Sequence, residues 1–211
     1  MEFYKNTFYK ITNCREIHQD HVYKDGLNIL NKPFDQKGSC TPGGLYFTTL
    51  EHIHKFYDYG CFLREITLPV ENPEFRVVKD PEDNKYRANM ILLGKKYSLS
   101  DPKTFEKFGL ELPPIKTLAT FACQEGSLER LKWAVKNGFV LNTYICHYAA
   151  QNGHLKIIKW ACESGCPWDN DVCNSAALGG HLEIIKWACE RGCPWDKHIC
   201  SIAALQHCVA I

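Results

Sequence analysis

Two cysteine pairs, Cys162-x3-Cys166 and Cys189-x3-Cys193, carry a spacing that could supply half of a tetrahedral thiolate site for zinc. The histidines that recur with them, His154 and His181, occupy a turn position where a hydrogen bond to the neighbouring loop suffices, so neither half-site gains a ligand from them. Cys146, Cys173 and Cys200 recur 27 residues apart as well. A thiol repeated at one place of a repeated helix packs as a small hydrophobe. Equivalent cysteines of adjacent packed helices lie about 10 Å apart, whereas a disulfide needs Cα atoms within about 7 Å. The expectation is reduced, buried thiols and no metal. His52-x-His54 does not rescue a metal site, since residues two apart on a helix point to different faces. There is no Gly-x-x-x-x-Gly-Lys loop and no Gly-x-Ser-x-Gly elbow. Neither catalytic residues nor cofactors are assigned.

These residues must be positioned by something, and in the second half of the chain that is a repeat. Gly153 to Glu163 and Gly180 to Glu190 differ at one position, Lys156 against Glu183. The loop Gly165-Cys166-Pro167-Trp168-Asp169 returns as Gly192-Cys193-Pro194-Trp195-Asp196. One cycle earlier the frame survives in Gly126, Leu128, Leu131, Trp133, Ala134 and Gly138. A fixed period of this size means supersecondary units that bury their apolar faces against their neighbours. Within one unit, Asp171 caps a short helix running to Leu178, and Gly179-Gly180 ends it. Leu182, Ile185, Trp187 and Cys189 then alternate with charges in a helical pattern. Gly192 and Pro194 close the second helix.

Ala176-Ala177-Leu178-Gly179-Gly180-His181-Leu182-Glu183-Ile184-Ile185-Lys186 resembles the A-A-x-x-G-H-x-E-I-V-K signature of the ankyrin repeat. A standard ankyrin repeat runs to about 33 residues, so the 27-residue period here is shorter. The missing residues fall between one unit's second helix and the next unit's first, which implies that the β-hairpin finger is cut to a turn. Cys-Pro-Trp-Asp and Ile-Ile-Lys-Trp-Ala narrow the resemblance to ankyrin proteins of giant DNA viruses of amoebae, of the mimivirus type. The resemblance implies an interaction module or adaptor for a host or viral protein, acting in the cytoplasm of an infected amoeba or packaged in the virion. In the ankyrin frame Trp133, Trp160 and Trp187 take core positions. Trp168 and Trp195 replace Leu141, which favours packing between units over a role as interface anchors. His154 and His181 sit at the turn, each expected to bond to the neighbouring loop.

Comparing units shows what varies while the core stays fixed. Thr143, Tyr144, His147, Gln151, Asn170, Asp171, Asn174, Leu178, Lys197, His198 and Ser201 vary on the first helices and are expected to form the partner-binding surface. The final unit has histidine, His207, where others have glycine, so its helix is expected to run from about Lys197 through Ile211. Ile202, Leu205, Val209 and Ile211 would then fold back or drive self-association.

The first half shows no repeat. Thr7 to Thr12, Leu45 to Phe47, Phe62 to Leu68 and Phe75 to Val78 read as strands. Thr48-x-x-Glu51 reads as a capping box opening a helix through Tyr59, and Asp101-Pro102 as a helix start. The expected fold class is an α+β leader domain, residues 1–112, followed by an all-α ankyrin-type solenoid, residues 113–211, with units 113–139, 140–166, 167–193 and a partial 194–211. Lys10 and Thr12 on a first strand, followed by Gly44-Leu45-Tyr46-Phe47-Thr48, weakly resemble the ADP-ribosyltransferase order. That resemblance implies an enzyme aimed by its repeats, although Lys10 stands where that family has His or Arg. It also implies a late glutamate, and only Glu106 and Glu111 at a helix end or linker are available. The alternative is a packed domain with a turn at Gly43-Gly44. A dinucleotide-sized cavity lined by Lys10, Thr12, Tyr46 and Thr48 would distinguish them.

Composition narrows the partner class. Net charge is +1 over 211 residues, without the concentrated basic face that nucleic acid demands. No apolar run nears the ~18 residues of a spanning helix, and no signal region opens the chain. A protein partner is expected, with neither nucleic acid nor membrane.

Overall fold

The computed structural model describes residues 7–18, 20–35, 43–80, 84–169 and 171–192. The chain divides into two compact units, one of residues 1–99 with 107–109, the other of 100–106 with 110–211.

The first unit is built on nine strands. These are β1 (Phe8–Thr12), β2 (Ile17–His18), β3 (His21–Val22), β4 (Gly26–Ile29), β5 (Leu45–Thr48), β6 (Phe62–Thr67), β7 (Val77–Lys79), β8 (Lys85–Ala88) and β9 (Met90–Ser98). Seven of them form one sheet in the order β4-β9-β6-β1-β5-β8-β7, and β2 and β3 form a small hairpin apart from it. Every pairing in the sheet is antiparallel. One sheet face buries Phe8, Leu45, Phe47, Ile66, Ala88, Ile91 and Leu93 together with Tyr23. Phe8 meets Phe47 edge to face, ring centroids 5.1 Å apart, a geometry favoured by the ring quadrupoles. The opposite side receives a 3-10 helix, Leu50–Tyr59, which buries Ile53.

The second unit holds seven α-helices or parts of them among the described residues: α1 (Pro102–Phe108), α2 (Ile115–Glu125), α3 (Leu128–Lys136), α4 (Thr143–Gln151), α5 (Leu155–Glu163), α6 (Asp171–Gly179) and α7 (Leu182–Cys189). Helices α2/α3, α4/α5 and α6/α7 make antiparallel-type pairs joined by two or three residues, with α2 packed on α4 and α4 on α6. Small residues permit that approach: Ala119, Ala122, Cys146, Ala149, Ala150, Cys173, Ala176 and Ala177 are buried along the first helices. Ile157, Ile158, Ile184 and Ile185 fill the space from the second helices.

The expected fold class needs correcting. The N-terminal unit is no α+β leader of a few short strands; it is a large antiparallel sheet of seven strands with one 3-10 helix beside it. Strands β4 and β8 are hidden from sequence because they carry buried polar residues, Asn28 and Arg87, that erase the apolar alternation. Helices succeed the sheet, and an all-α ankyrin-type solenoid is not established by the described residues. They hold three helix pairs, and the fourth expected unit, with its run from Lys197 to Ile211, lies outside them.

Local expectations fare unevenly. The Thr48 capping box is not formed: Thr49 is the N-cap residue of the 3-10 helix, and the Thr48 hydroxyl donates to the carbonyl of Asn84. Trp187 is buried and Trp160 half-buried, but Trp133 is 37% exposed, two residues from Leu131 and so off the apolar face of α3. Trp168 packs between units, its ring centroid 6.0 Å from that of Trp187. Cys123, Cys146, Cys162, Cys166 and Cys189 are free thiols. Cys173 is disulfide-bonded, which corrects the expectation of uniformly reduced thiols. Cys146 and Cys166 lie with their sulfurs 3.9 Å apart. Their 20-residue separation is a pairing that comparison of equivalent helices overlooks.

Candidate functional site

The variable residues of the first helices differ in exposure. Tyr144 is 60% exposed and Leu178 50% exposed on α4 and α6. Gln151 and Asp171 are exposed, and Thr143, His147 and Asn174 half-buried. Asn170, Lys197, His198 and Ser201 lie outside the described residues. Three of these side chains join one polar cluster with a residue not foreseen. His147 Nε2 lies 2.8 Å from Asp169 Oδ1. The same carboxylate oxygen accepts from the Asp171 backbone N–H at 3.0 Å. Asn174 Nδ2 donates to Asp171 Oδ1 at 3.2 Å. The Tyr144 ring stands edge-on to His147, centroids 6.0 Å apart. In the sequence Asp169 is the last residue of Cys-Pro-Trp-Asp, repeated at Asp196, and that repetition marks it only as part of a loop.

The ligand atoms of His147, Asp169 and Asp171 lie within 4.8 Å of one another. They are already engaged with one another and with Asn174, so their evident use is to hold a carboxylate-rich edge in place. The edge carries two acidic groups beside an exposed aromatic ring.

The pairs are locked together by the turn histidines. His154 Nε2 lies 3.0 Å from the carbonyl oxygen of Gln124, and His181 Nε2 3.1 Å from that of Gln151. Each ring thus bonds to the loop of the preceding pair, as expected. This fixes the spacing between α2, α4 and α6, and hence the spacing of the side chains they present.

The first unit holds a cavity of about 120 Å³ lined by Lys10, Tyr46 and Thr48, with His18, Phe56 and Tyr59 among its walls. Thr12 is buried but does not line it. The volume is below the ~300 Å³ at the low end of ordinary ligand pockets. Lys10 Nζ donates to the Tyr46 carbonyl at 3.0 Å and stands 4.6 Å from the Tyr23 ring centroid. Burial pulls the Lys10 ammonium down to about 8, against a smaller opposing pull from Glu16. Burial, aided by Lys10, holds His18 down to about 4, so its ring is neutral at pH 7.

Lysine burial carries a stability signature. The folded-state value of about 8 lies below the ordinary 10.5. Between those values the unfolded chain keeps a proton that the folded chain releases, so stability rises with pH across that window. The full contribution is about 3 kcal/mol at about 1.4 kcal/mol per pH unit. Replacing Lys10 with methionine should raise stability at pH 7, and its advantage should shrink as pH approaches 10. Urea unfolding of both proteins at several pH values measures this; an advantage that stays constant from pH 7 to pH 10 contradicts it.

No family model matches the chain. Three mimivirus proteins from Acanthamoeba polyphaga mimivirus are similar to it. One named as ankyrin repeat protein R868 is 44% identical over 135 residues, covering 62% of this chain and 67% of that protein. One named as ankyrin repeat protein R896 is 39% identical over 135 residues, and the chain spans 41% of its length. A third, R869, is 41% identical over 138 residues, and the chain spans 91% of it. The chain belongs to the ankyrin repeat proteins, and these relatives of it are mimivirus proteins. That membership points to a role in protein interaction. Among the described residues no helix is long and apolar enough to cross a membrane.

Proposed function

We propose that the chain is an adaptor whose first-helix face binds a host or viral protein in the cytoplasm of an infected amoeba. The observation that carries the reading is the edge formed by Tyr144, His147, Asp169 and Asp171. It combines an exposed aromatic anchor with two carboxylates held by neighbouring helix pairs. The partner this edge fits presents lysine or arginine next to an apolar side chain. Leu178, half-exposed one turn beyond Asn174, extends the apolar part of the contact. A role in the virion belongs to the same reading, with a capsid or core protein as partner.

The double substitution Tyr144→Ala, Asp171→Lys removes the anchor and reverses one charge at exposed positions. It should leave helix content unchanged and lower melting only slightly, through the loss of the acidic group in the first turn of α6. It should weaken binding of the partner by at least 100-fold, taking about 2 kcal/mol for an aromatic anchor and about 1 kcal/mol for a reversed charge. The readout is quantitative capture from amoebal lysate with mass spectrometry, wild type against variant. Equal recovery of every captured protein would show that the face is not the binding surface.

A further inference from the structure

The cavity beside Lys10 has a chemistry of its own. Strands β1 and β5 share the single registered pair Tyr9↔Thr48, so they part beyond it and leave the space that the cavity occupies. Tyr9, Tyr46, Phe56 and Tyr59 supply aromatic walls. Lys10 is 7% exposed, with its ammonium at this space. Of its three N–H groups one is taken by the Tyr46 carbonyl. No carboxylate lies within ion-pair distance of it among the described residues. Glu16, the acid that acts on it from farther away, is held by Arg64 at 3.1 Å and by Lys96 at 3.5 Å. A buried ammonium without a counter-charge is costly, and its remaining donors suit an anionic oxygen pair. Lys85 also lines the cavity, and no acidic side chain does. The ligand is therefore an anion.

Its size follows from the space. A dry protein cavity that holds benzene measures about 150 Å³. A volume of about 120 Å³ accordingly takes one six-membered ring or less. Four aromatic walls favour a flat ring over a tetrahedral oxyanion, because ring faces and edges stack on one another.

We propose that this cavity binds a small aromatic monocarboxylate, its carboxylate on Lys10 Nζ and its single ring among Tyr46, Phe56 and Tyr59. The binding is independent of the interaction surface on the helical unit.

The test uses the full chain and benzoate as probe, followed by calorimetry and ligand-observed NMR. Benzoate should bind with a dissociation constant of about 1 mM or tighter. Benzamide, the neutral isostere, should bind at least tenfold more weakly, and so should benzoate to the Lys10→Met variant. Phe56→Trp should fill the space and abolish binding. 2-Naphthoate, with two rings, should not enter, and inorganic phosphate should not displace benzoate. Equal affinities for benzoate and benzamide would overturn the proposal. So would undiminished binding to Phe56→Trp, phosphate binding tighter than benzoate, or no binding up to about 10 mM. If Lys10→Met fails to fold, the benzoate–benzamide comparison and Phe56→Trp decide the matter on their own.

Discussion

Gly60→Ala should destabilise the sheet unit by about 4 kcal/mol or more, enough to leave much of it unfolded at ordinary temperature. An added Cβ would sit 2.1 Å from the Thr12 carbonyl oxygen, 2.3 Å from its carbon and 2.5 Å from the Asn13 nitrogen. All three are backbone atoms, and none can rotate away. Gly60 has φ 166, an extended value open to any residue, so the demand is for space and not for conformation. The same carbonyl accepts from Cys61 N–H at 3.1 Å, next to the Thr12↔Phe62 end of the β1–β6 ladder. The methyl must therefore break the junction between β1, the central strand, and β6. Urea unfolding followed by the far-ultraviolet strand signal measures the loss. A loss below about 1 kcal/mol would mean that the backbone yields there and that the close approach is not structural.

In the helical unit a loss is expected at Gly153. Its φ is +82, a left-handed conformation in which a side chain is strained, and a Cβ would lie 2.7 Å from Cε1 and 2.8 Å from Nδ1 of His181. The imidazole can swing aside only by releasing the Gln151 carbonyl at 3.1 Å. Backbone strain of about 1 kcal/mol and a lost exposed hydrogen bond of about 0.5–1 kcal/mol give a loss of about 1.5–2 kcal/mol for Gly153→Ala. Thermal melting checks this, and a double-mutant cycle with His181→Ala divides it. The glycine substitution should cost less once the ring is gone, leaving the conformational part. Strictly additive losses would show that the ring and the glycine do not interact.

The helical unit is legible in sequence because its signals are local and recur. Glycines at 126, 153 and 180, each followed at two or three residues by a helix, mark the turns, and the histidines' hydrogen bonds accord with their place beside them. The sheet is legible only where apolar residues alternate, as in β1 and β6. Strand β9 hides its length because Lys95 and Lys96 make its second half polar, so Met90 to Leu93 looks like a short core segment. In β4, Asn28 is 2% exposed and bonds to Lys24 through both side-chain atoms, a local closure that no period announces. In β8, Arg87 is 1% exposed. Of the binding surface, the variable positions point to Tyr144, His147 and Asp171. Asp169, which holds the histidine, escapes notice because it lies in a loop whose repetition reads as structure. The cavity at Lys10 is foreseeable in its residues and not in its size. Size depends on how far β1 and β5 diverge, which no single strand encodes.

The joint between helix pairs occurs twice with the same parts: His154 on Gly126 and Gln124, His181 on Gly153 and Gln151. An in-frame duplication of 27 codons would add a pair that already fits its neighbour on both sides, with no new side-chain chemistry to evolve. Stretches as alike as Gly153 to Glu163 and Gly180 to Glu190 also favour unequal exchange during replication. The gene can therefore change its unit count faster than it changes the residues of any one unit.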